Sequence, residues 1–296
     1  MKITNQFNLP EIVVTALVQD DYTKGKSNRS VTQLIDAPKI AILQREHEDD
    51  ISQDVVDFLW SRFGTSVHGM FEKAVADNEQ AGVISEERLY AEEQGWTISG
   101  AIDLQEVHAD GVIVSDYKVT SVWSVVNDKI EWHNQLNAYA WLVRSVKDLP
   151  VKSLRVIAIL RDWQRRKAQM EPDYPKSPIH IVSIPLWAAG DADKYIADRV
   201  KLHQDAEFAW LTGGEVPDCS AKERWRKETT YAVIKKGRKR ALRVLKSQSE
   251  ATKYQEGVDG ISVVEERRGE STRCSQNWCR VAQWCDQFKL EVNRGN

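Results

Sequence analysis

No apolar run in this chain approaches the ~18 residues needed to cross a bilayer, and its first residues lack the pattern of a secretion leader. A cytoplasmic protein with no membrane partner is expected. Cysteine is scarce, with four in 296 residues and none before position 219, which excludes a disulfide-stapled secreted scaffold. Internal repeats and low-complexity tracts are absent, which excludes a repeat architecture. A net charge of −3 excludes a uniformly basic surface.

What remains is a composition of 42% hydrophobic and 29% charged residues, ordinary for a globular protein with a sizeable core. Its charge is unevenly spread. From Cys219 to Asn296 there are 18 Lys and Arg against 10 Asp and Glu, whereas the preceding part has 23 against 34. A basic section beside an acidic one suits a nucleic-acid grip next to a metal site. Solvated helix faces are the plainer reading of the same numbers.

The chemistry is concentrated between Trp96 and Lys118. Trp96 to Val107 alternates apolar and polar residues around Ile98, Ala101 and Ile102, as a half-buried strand does. The link His108-Ala-Asp-Gly111 ends in Asp-Gly, a turn signal. Val112 to Lys118 then opens as a β-branched run. Strand side chains alternate faces, so Asp116 and Lys118 project to one side, with Asp103 in reach on the neighbouring strand. Two carboxylates and a lysine converging at a sheet edge suit hydrolysis of a phosphodiester. The acids hold a hard divalent cation, and the lysine orients water and offsets developing charge.

Around this pair of strands, the spacing of Val55, Phe58, Leu59, Phe63, Val67, Met70, Phe71 and Ala74 predicts helix within Ser30 to about Asn78. A strand meander runs from Glu87 to Lys118. Trp132 to Val143 reads as a helix with Leu136, Tyr139, Ala140 and Val143 as its apolar stripe. Strands are predicted at Leu154–Leu160 and Ile179–Pro185, and a long helix at Asp191–Leu211. Gly213-Gly-Glu-Val-Pro217 marks the clearest boundary. The expected class is α/β, a mixed central sheet flanked by helices, with a helical, four-cysteine C-terminal section. Its expected parts are an N-terminal helical region (1–84), a core (85–212) and a basic section (213–296).

Three features add to the acid pair. His68 sits on a predicted helix, where a lone histidine is more often a surface residue than a ligand. Gln135 and Tyr139, four apart, share a helix face. Glu87 opens the meander and would ordinarily be a surface acid. In order, His68, Gly100 to Asp103, Asp116 to Lys118 and Gln135 to Tyr139 resemble the PD-(D/E)xK nuclease superfamily in its RecB-like branch. A lone D-x-K carries almost no information; four elements in order carry a good deal. The resemblance spans about residues 30 to 190. It implies that Asp103 and Asp116 bind Mg²⁺ or Mn²⁺, that His68 completes the ligand set, and that the Tyr117 carbonyl adds an oxygen. It further implies that Lys118 positions the attacking water, that Gln135 orients Lys118 or the scissile phosphate, and that Tyr139 packs or touches DNA.

Cys274, Cys279 and Cys285 fall within twelve residues, with Cys219 as a distant fourth. In a cytosolic chain this favours a metal site, either a Cys₄ zinc site or an iron–sulfur cluster. Zinc usually gathers close C-x₂-C pairs, and none occurs here. The tail is similar to that of RecB-like nucleases that carry a 4Fe–4S cluster, closest to phage-encoded members, with zinc as the alternative. It departs from them in its C-x₄-C-x₅-C spacing and in a first cysteine that follows the core. Lys235, Lys236, Arg238, Lys239 and Arg240 would contact DNA phosphates, on a segment expected to be an exposed basic helix.

The expected activity is a metal-dependent DNA exonuclease acting at linear or single-stranded ends and leaving 5′-phosphates, with a structural cluster. The alternatives are a structure-selective or restriction-type endonuclease of the same superfamily, or a catalytically idle DNA-binding protein. A single-strand annealing protein is a further expected partner. Trp123, Trp132 and Trp141 flank the motifs and read as core residues before DNA contacts.

Overall fold

The computed structural model describes residues 1–19, 25–78 and 80–293, which form two compact units. Residues 1–36 and 52–214 make the first unit; residues 37–51 and 215–296 make the second.

The first unit is built on a six-stranded mixed sheet. Its strands are β1 (Arg29–Ser30), β2 (Val83–Glu93), β3 (Trp96–His108), β4 (Gly111–Thr120), β5 (Val151–Leu160) and β6 (Ile179–Ile184). β2, β3 and β4 form an antiparallel meander, β4 and β5 run parallel, and β6 returns antiparallel on β5. The loop between β3 and β4 is only Ala109-Asp110, because His108 already pairs with Gly111. Gly111 takes φ +134°, and a Cβ there would meet the Pro150 carbonyl at 2.7 Å.

Three long helices matter for the site: α1 (Leu59–Asn78), α2 (Ile130–Lys147) and α3 (Ala189–Leu211). A parallel neighbour cannot be reached by a hairpin, so α2 carries the chain from β4 to β5. Residues 135–143 of α2 are all buried. Leu136, Ala140 and Leu142 pack with Val112, Val114, Val156 and Ala158 of the sheet and with Ile196 and Val200 of α3. Each such fully buried aliphatic side chain contributes roughly 1.5–3 kcal/mol. Arg144 and Lys147 occupy the last turn of α2, where cations suit the helix dipole. β4 opens with the apolar run Val112-Ile-Val114, and residues 111–117 are largely buried because both its faces are covered there.

The helical pattern expected from Ser30 onward is interrupted. Short helices at Val31–Leu34 and Pro38–Glu46 precede a strand, Ser52–Asp54, that pairs in parallel with Lys2–Thr4. Asp54 then accepts from the Val56 N–H at the start of a 3₁₀ turn leading into α1.

The second unit holds a three-stranded antiparallel sheet with Thr230–Lys235 at its centre, flanked by Arg243–Leu245 and Ser262–Arg267. Helices Gln248–Glu256 and Asp286–Asn293 accompany it. The basic segment is therefore not a helix. Tyr231-Ala-Val-Ile234 is strand-prone, and Gly237 (φ +85°) turns the chain before a second strand. The core of this unit combines Ala37, Ile40 and Ile51 with Cys219, Cys274, Cys279, Val281 and Ala282. Among the described residues, no helix is long and apolar enough to cross a membrane.

Candidate active site

The site lies where the meander forks. β3 and β4 pair from His108 and Gly111 back to Leu104 and Ser115, and no further. Beyond that point β3 pairs with β1, at Ile98 and Ser99. Asp103 and Asp116 are the next residues at the fork. β4 keeps its pairing with β5 there, but the main-chain groups facing the gap between β3 and β4 have no partner across it and must be satisfied otherwise. Tyr117 N–H donates to Asp103 Oδ2 at 2.6 Å, and the Tyr117 carbonyl lies 3.1 Å from His68 Nε2.

α1 brings in His68. A carbonyl only accepts, so Nε2 is the donor to Tyr117, leaving Nδ1 toward the acids. Nδ1 stands 3.3 Å from Glu86 Oε1 and 3.6 Å from Asp103 Oδ1. Three such groups repel unless a proton or a cation lies among them. Burial lowers the His68 pKa, but the Glu86 hydrogen bond and the Asp103 charge outweigh it and hold the imidazole above its ordinary value. Asp103 is pushed up to about 7, first by burial and then by the Asp116 charge.

On α2, Gln135 Nε2 donates to Asp116 Oδ1 at 3.0 Å and to the Tyr139 hydroxyl at 2.9 Å. Asp116 Oδ2 is 2.7 Å from Lys118 Nζ, the same-side pairing that strand alternation requires. Burial alone would lower the Lys118 pKa, yet Asp116 and Asp103 together raise it, so the ammonium stays charged. Gly100 lets α2 approach: a Cβ there would meet Leu142 Cδ1 at 2.7 Å and Tyr139 Cε1 at 2.8 Å. Tyr139 is thus buried against β3, and packing accounts for its position better than DNA contact does. Gln135 reaches Asp116, where the sequence pattern pointed to Lys118 or a phosphate. The Tyr117 ring turns to the other side and stacks on Phe71, with centroids 4.4 Å apart.

His68, Asp103, Asp116, Lys118, Gln135 and Tyr139 all line one open cavity of about 920 Å³. Glu86 joins them, a residue that sequence reasoning passed over for its neighbour Glu87. Glu87 pairs with Lys147 on α2 and accepts from Gln105 Nε2 at 2.7 Å. The register is continuous from Ser85–Leu104 to Glu87–Ile102, which sets Glu86 opposite Asp103; that pair is not made, and Glu86 has φ +50°. Opposed residues of an antiparallel pair share a face, so Glu86 comes out beside Asp103 and within reach of His68. One His Nδ1 and the carboxylates of Glu86 and Asp103 gather with all their ligand atoms within 4.8 Å of one another. An imidazole with hard oxygens suits Mg²⁺ or Mn²⁺, and a cation there would relieve the charge that raises the Asp103 pKa.

The remaining candidates lie in the second unit. All four cysteines are buried and line one small enclosed cavity with Ile40, Leu43 and Val281. Gln287 clamps the first of them: Cys219 N–H donates to Gln287 Oε1 at 3.0 Å, and Gln287 Nε2 donates to the Cys219 carbonyl at 2.9 Å. Burial pushes the Cys219 thiol up to about 12 and the Cys274 thiol to about 11, helped by the neighbouring cysteines. Among the described residues, only the His68 group gathers three such donors within 4.8 Å, so the sulfurs are more widely spread. Lys236, Arg238, Lys239 and Arg240 are exposed around the Gly237 turn, and Lys235 is partly covered.

Residues 26–286 match the model of the family described as the PD-(D/E)XK nuclease superfamily. A solved structure described as "Crystal structure of SSO0001" is similar at 17% identity with a TM-score of 0.42, covering 68% of this chain and 89% of that one. A search of the curated proteins found no match.

Proposed function

We propose that this chain, which belongs to the PD-(D/E)XK nuclease superfamily, removes nucleotides from DNA ends as an exonuclease of the RecB-like branch. Membership makes it a metal-dependent nuclease with DNA as its implied substrate. The observation that carries the reading is the fork itself, with three metal-suited donors on one side and the Asp116–Lys118 pair on the other.

His68, Glu86 and Asp103 would hold Mg²⁺ or Mn²⁺, with Asp116 as a further carboxylate; the Tyr117 carbonyl, which accepts from His68 Nε2, lies across the imidazole from Nδ1 and leaves the ligand set. When bound, the cation supplies charge stabilisation at the phosphate and makes water more acidic. Lys118, kept charged by Asp116, points its ammonium into the cavity, where it positions the attacking water and offsets charge on the phosphoryl oxygens. Gln135 fixes the Asp116 carboxylate from the α2 side. In-line attack at phosphorus would leave 5′-phosphate and 3′-hydroxyl ends.

The cysteine cavity would hold a 4Fe–4S cluster in a structural role. Tetrahedral zinc at about 2.3 Å per sulfur needs four closely spaced sulfurs, which a wider set does not offer. The cluster would staple the 54 residues between Cys219 and Cys274. The exposed basic turn would grip phosphates without reading sequence. A phage origin and a co-encoded single-strand annealing partner fit this role.

Closed-circular and linear DNA of one sequence, incubated with the protein and Mn²⁺, test the end requirement. Loss of the linear form alone supports the exonuclease. Nicking or cutting of the circle would replace it with the endonuclease reading.

A further inference from the structure

We propose that two exposed aromatic–cation stacks beside the fork, Trp60 with Arg161 and Trp123 with Lys129, form a binding track for single-stranded DNA. This rests on the reading of the fork as a DNA-cutting centre, and it specifies the form of DNA admitted.

The stacks are tied to the catalytic strand through short contacts. Lys118 is followed two residues later by Thr120, the last residue of β4, whose carbonyl accepts from Arg161 N–H at 2.9 Å. The Arg161 guanidinium lies over the Trp60 ring at 4.5 Å. Trp60 is on the first turn of α1, directly before Ser61 and Arg62, which line the Lys118 cavity. Phe63 meets the Trp60 ring edge-on, with centroids 6.3 Å apart. Trp123 follows β4 on the short helix Val122–Val126, which is held by Val122 N–H donating to Asp162 Oδ1 at 2.7 Å. Lys129 Nζ stands 4.7 Å from the Trp123 ring centroid.

Both tryptophans face water at some cost in exposed apolar area, being 50% and 59% exposed. Trp132 and Trp141, near the same motifs, are buried in the core, whereas Trp60 and Trp123 stand at the surface with a cation over each ring. An exposed indole offers a π-face to an unpaired base, and a cation on that ring supplies charge for the adjoining phosphate. Duplex DNA already stacks its bases on one another and has no free face to give. The charge is complementary to a nucleic acid, and the Trp60 stack adjoins the cavity that holds Lys118 through Ser61 and Arg62. Stacking of this kind tolerates any sequence, as an end-degrading enzyme requires.

The test measures anisotropy of a fluorescein-labelled 15-nucleotide single strand and of the matching duplex. It uses a Lys118→Ala background, so that neither probe is cut. Adding Trp123→Ala or Trp60→Ala is expected to weaken single-strand binding about tenfold and duplex binding less than twofold, with Trp123→Phe retaining most of the affinity. Unchanged single-strand binding, or an equal loss on both probes, would overturn the track and leave the fork reading standing. A Lys118→Ala protein that binds neither probe would overturn the DNA reading and the track with it. A melting temperature unchanged in both tryptophan variants separates lost stacking from lost folding.

Discussion

Asp103→Asn should make the metal-free protein more stable while removing its response to metal. Asp103 is 5% exposed, and its pKa rises from 3.8 to about 7 through burial and the Asp116 charge. A carboxyl whose folded pKa exceeds its unfolded value holds its proton longer in the native state. Stability therefore falls as pH climbs from 3.8 to about 7, and the full cost is present above that. At about 1.4 kcal/mol per pH unit the ceiling is roughly 4 kcal/mol. The amide forgoes part of this gain, because the carboxylate bond from Tyr117 N–H is charge-assisted and its replacement is neutral. A net gain of about 2 kcal/mol remains, or some 4–8 °C in melting temperature for a chain of this size. Calorimetry at pH 8 in chelator, then in Mn²⁺, reads both halves. The parent should melt lower in chelator and rise with metal; the variant should start higher and stay there. A variant that melts below the parent in chelator, or that still gains from Mn²⁺, would refute the account of a charge-strained cation site.

Glu86→Gln should weaken Mn²⁺ binding about tenfold or more by titration calorimetry, whereas Glu87→Gln should leave it within about twofold. The Glu87 change should instead cost about 1–2 kcal/mol of stability through the Lys147 pair; the reverse pattern would return the site to Glu87. Gly100→Ala forces a Cβ onto Leu142 and Tyr139 and should destabilise by about 1–3 kcal/mol in denaturant titration. No loss there would mean that α2 does not depend on that close approach. His203 is fully buried on the Leu34 and Asp36 carbonyls, and burial, then Arg199 and Arg29, hold its pKa down to about 4. Its unfolded form takes a proton first, so up to about 3 kcal/mol should be lost as pH falls from 6.5 to 4. Measured in the Asp103→Asn background, which removes the opposing slope, a pH-independent stability across that window would contradict this. Cys279→Ala should lower bound iron and sulfide by chemical analysis; an unchanged iron content would remove the cluster from the account.

What the sequence made legible was local. The β3–β4 hairpin follows from alternation and a turn signal, so Asp103, Asp116 and Lys118 converge as their spacing implied; α2 follows from its apolar stripe, but only the resemblance pointed Gln135 toward them. His68 needed the whole motif order to stand out, since one histidine on a helix says little. Glu86 was out of reach because its place beside Asp103 follows from the pairing register of β2 on β3, which neither strand's own pattern specifies. The helix Pro38–Glu46 joins the cysteine unit through Ile40, a contact set by packing over some 180 residues of sequence. The basic run misled because its charges suit any exposed element. The β-branched Val233-Ile234 just before it and Gly237 within it were the available signs of a strand and turn. Trp123 shows the same limit: apolar character cannot separate a core ring from one held at the surface by a lysine.

The most direct test of the fork as a nuclease centre is digestion of end-labelled linear DNA with Mg²⁺ or Mn²⁺ by the parent protein and by Lys118→Ala. The account predicts progressive shortening by the parent, no cleavage in chelator, and a loss of at least a hundredfold in the variant, consistent with about 3 kcal/mol of lost transition-state stabilisation. Equal cleavage by the two proteins, or equal inactivity in a metal-replete preparation, would contradict it.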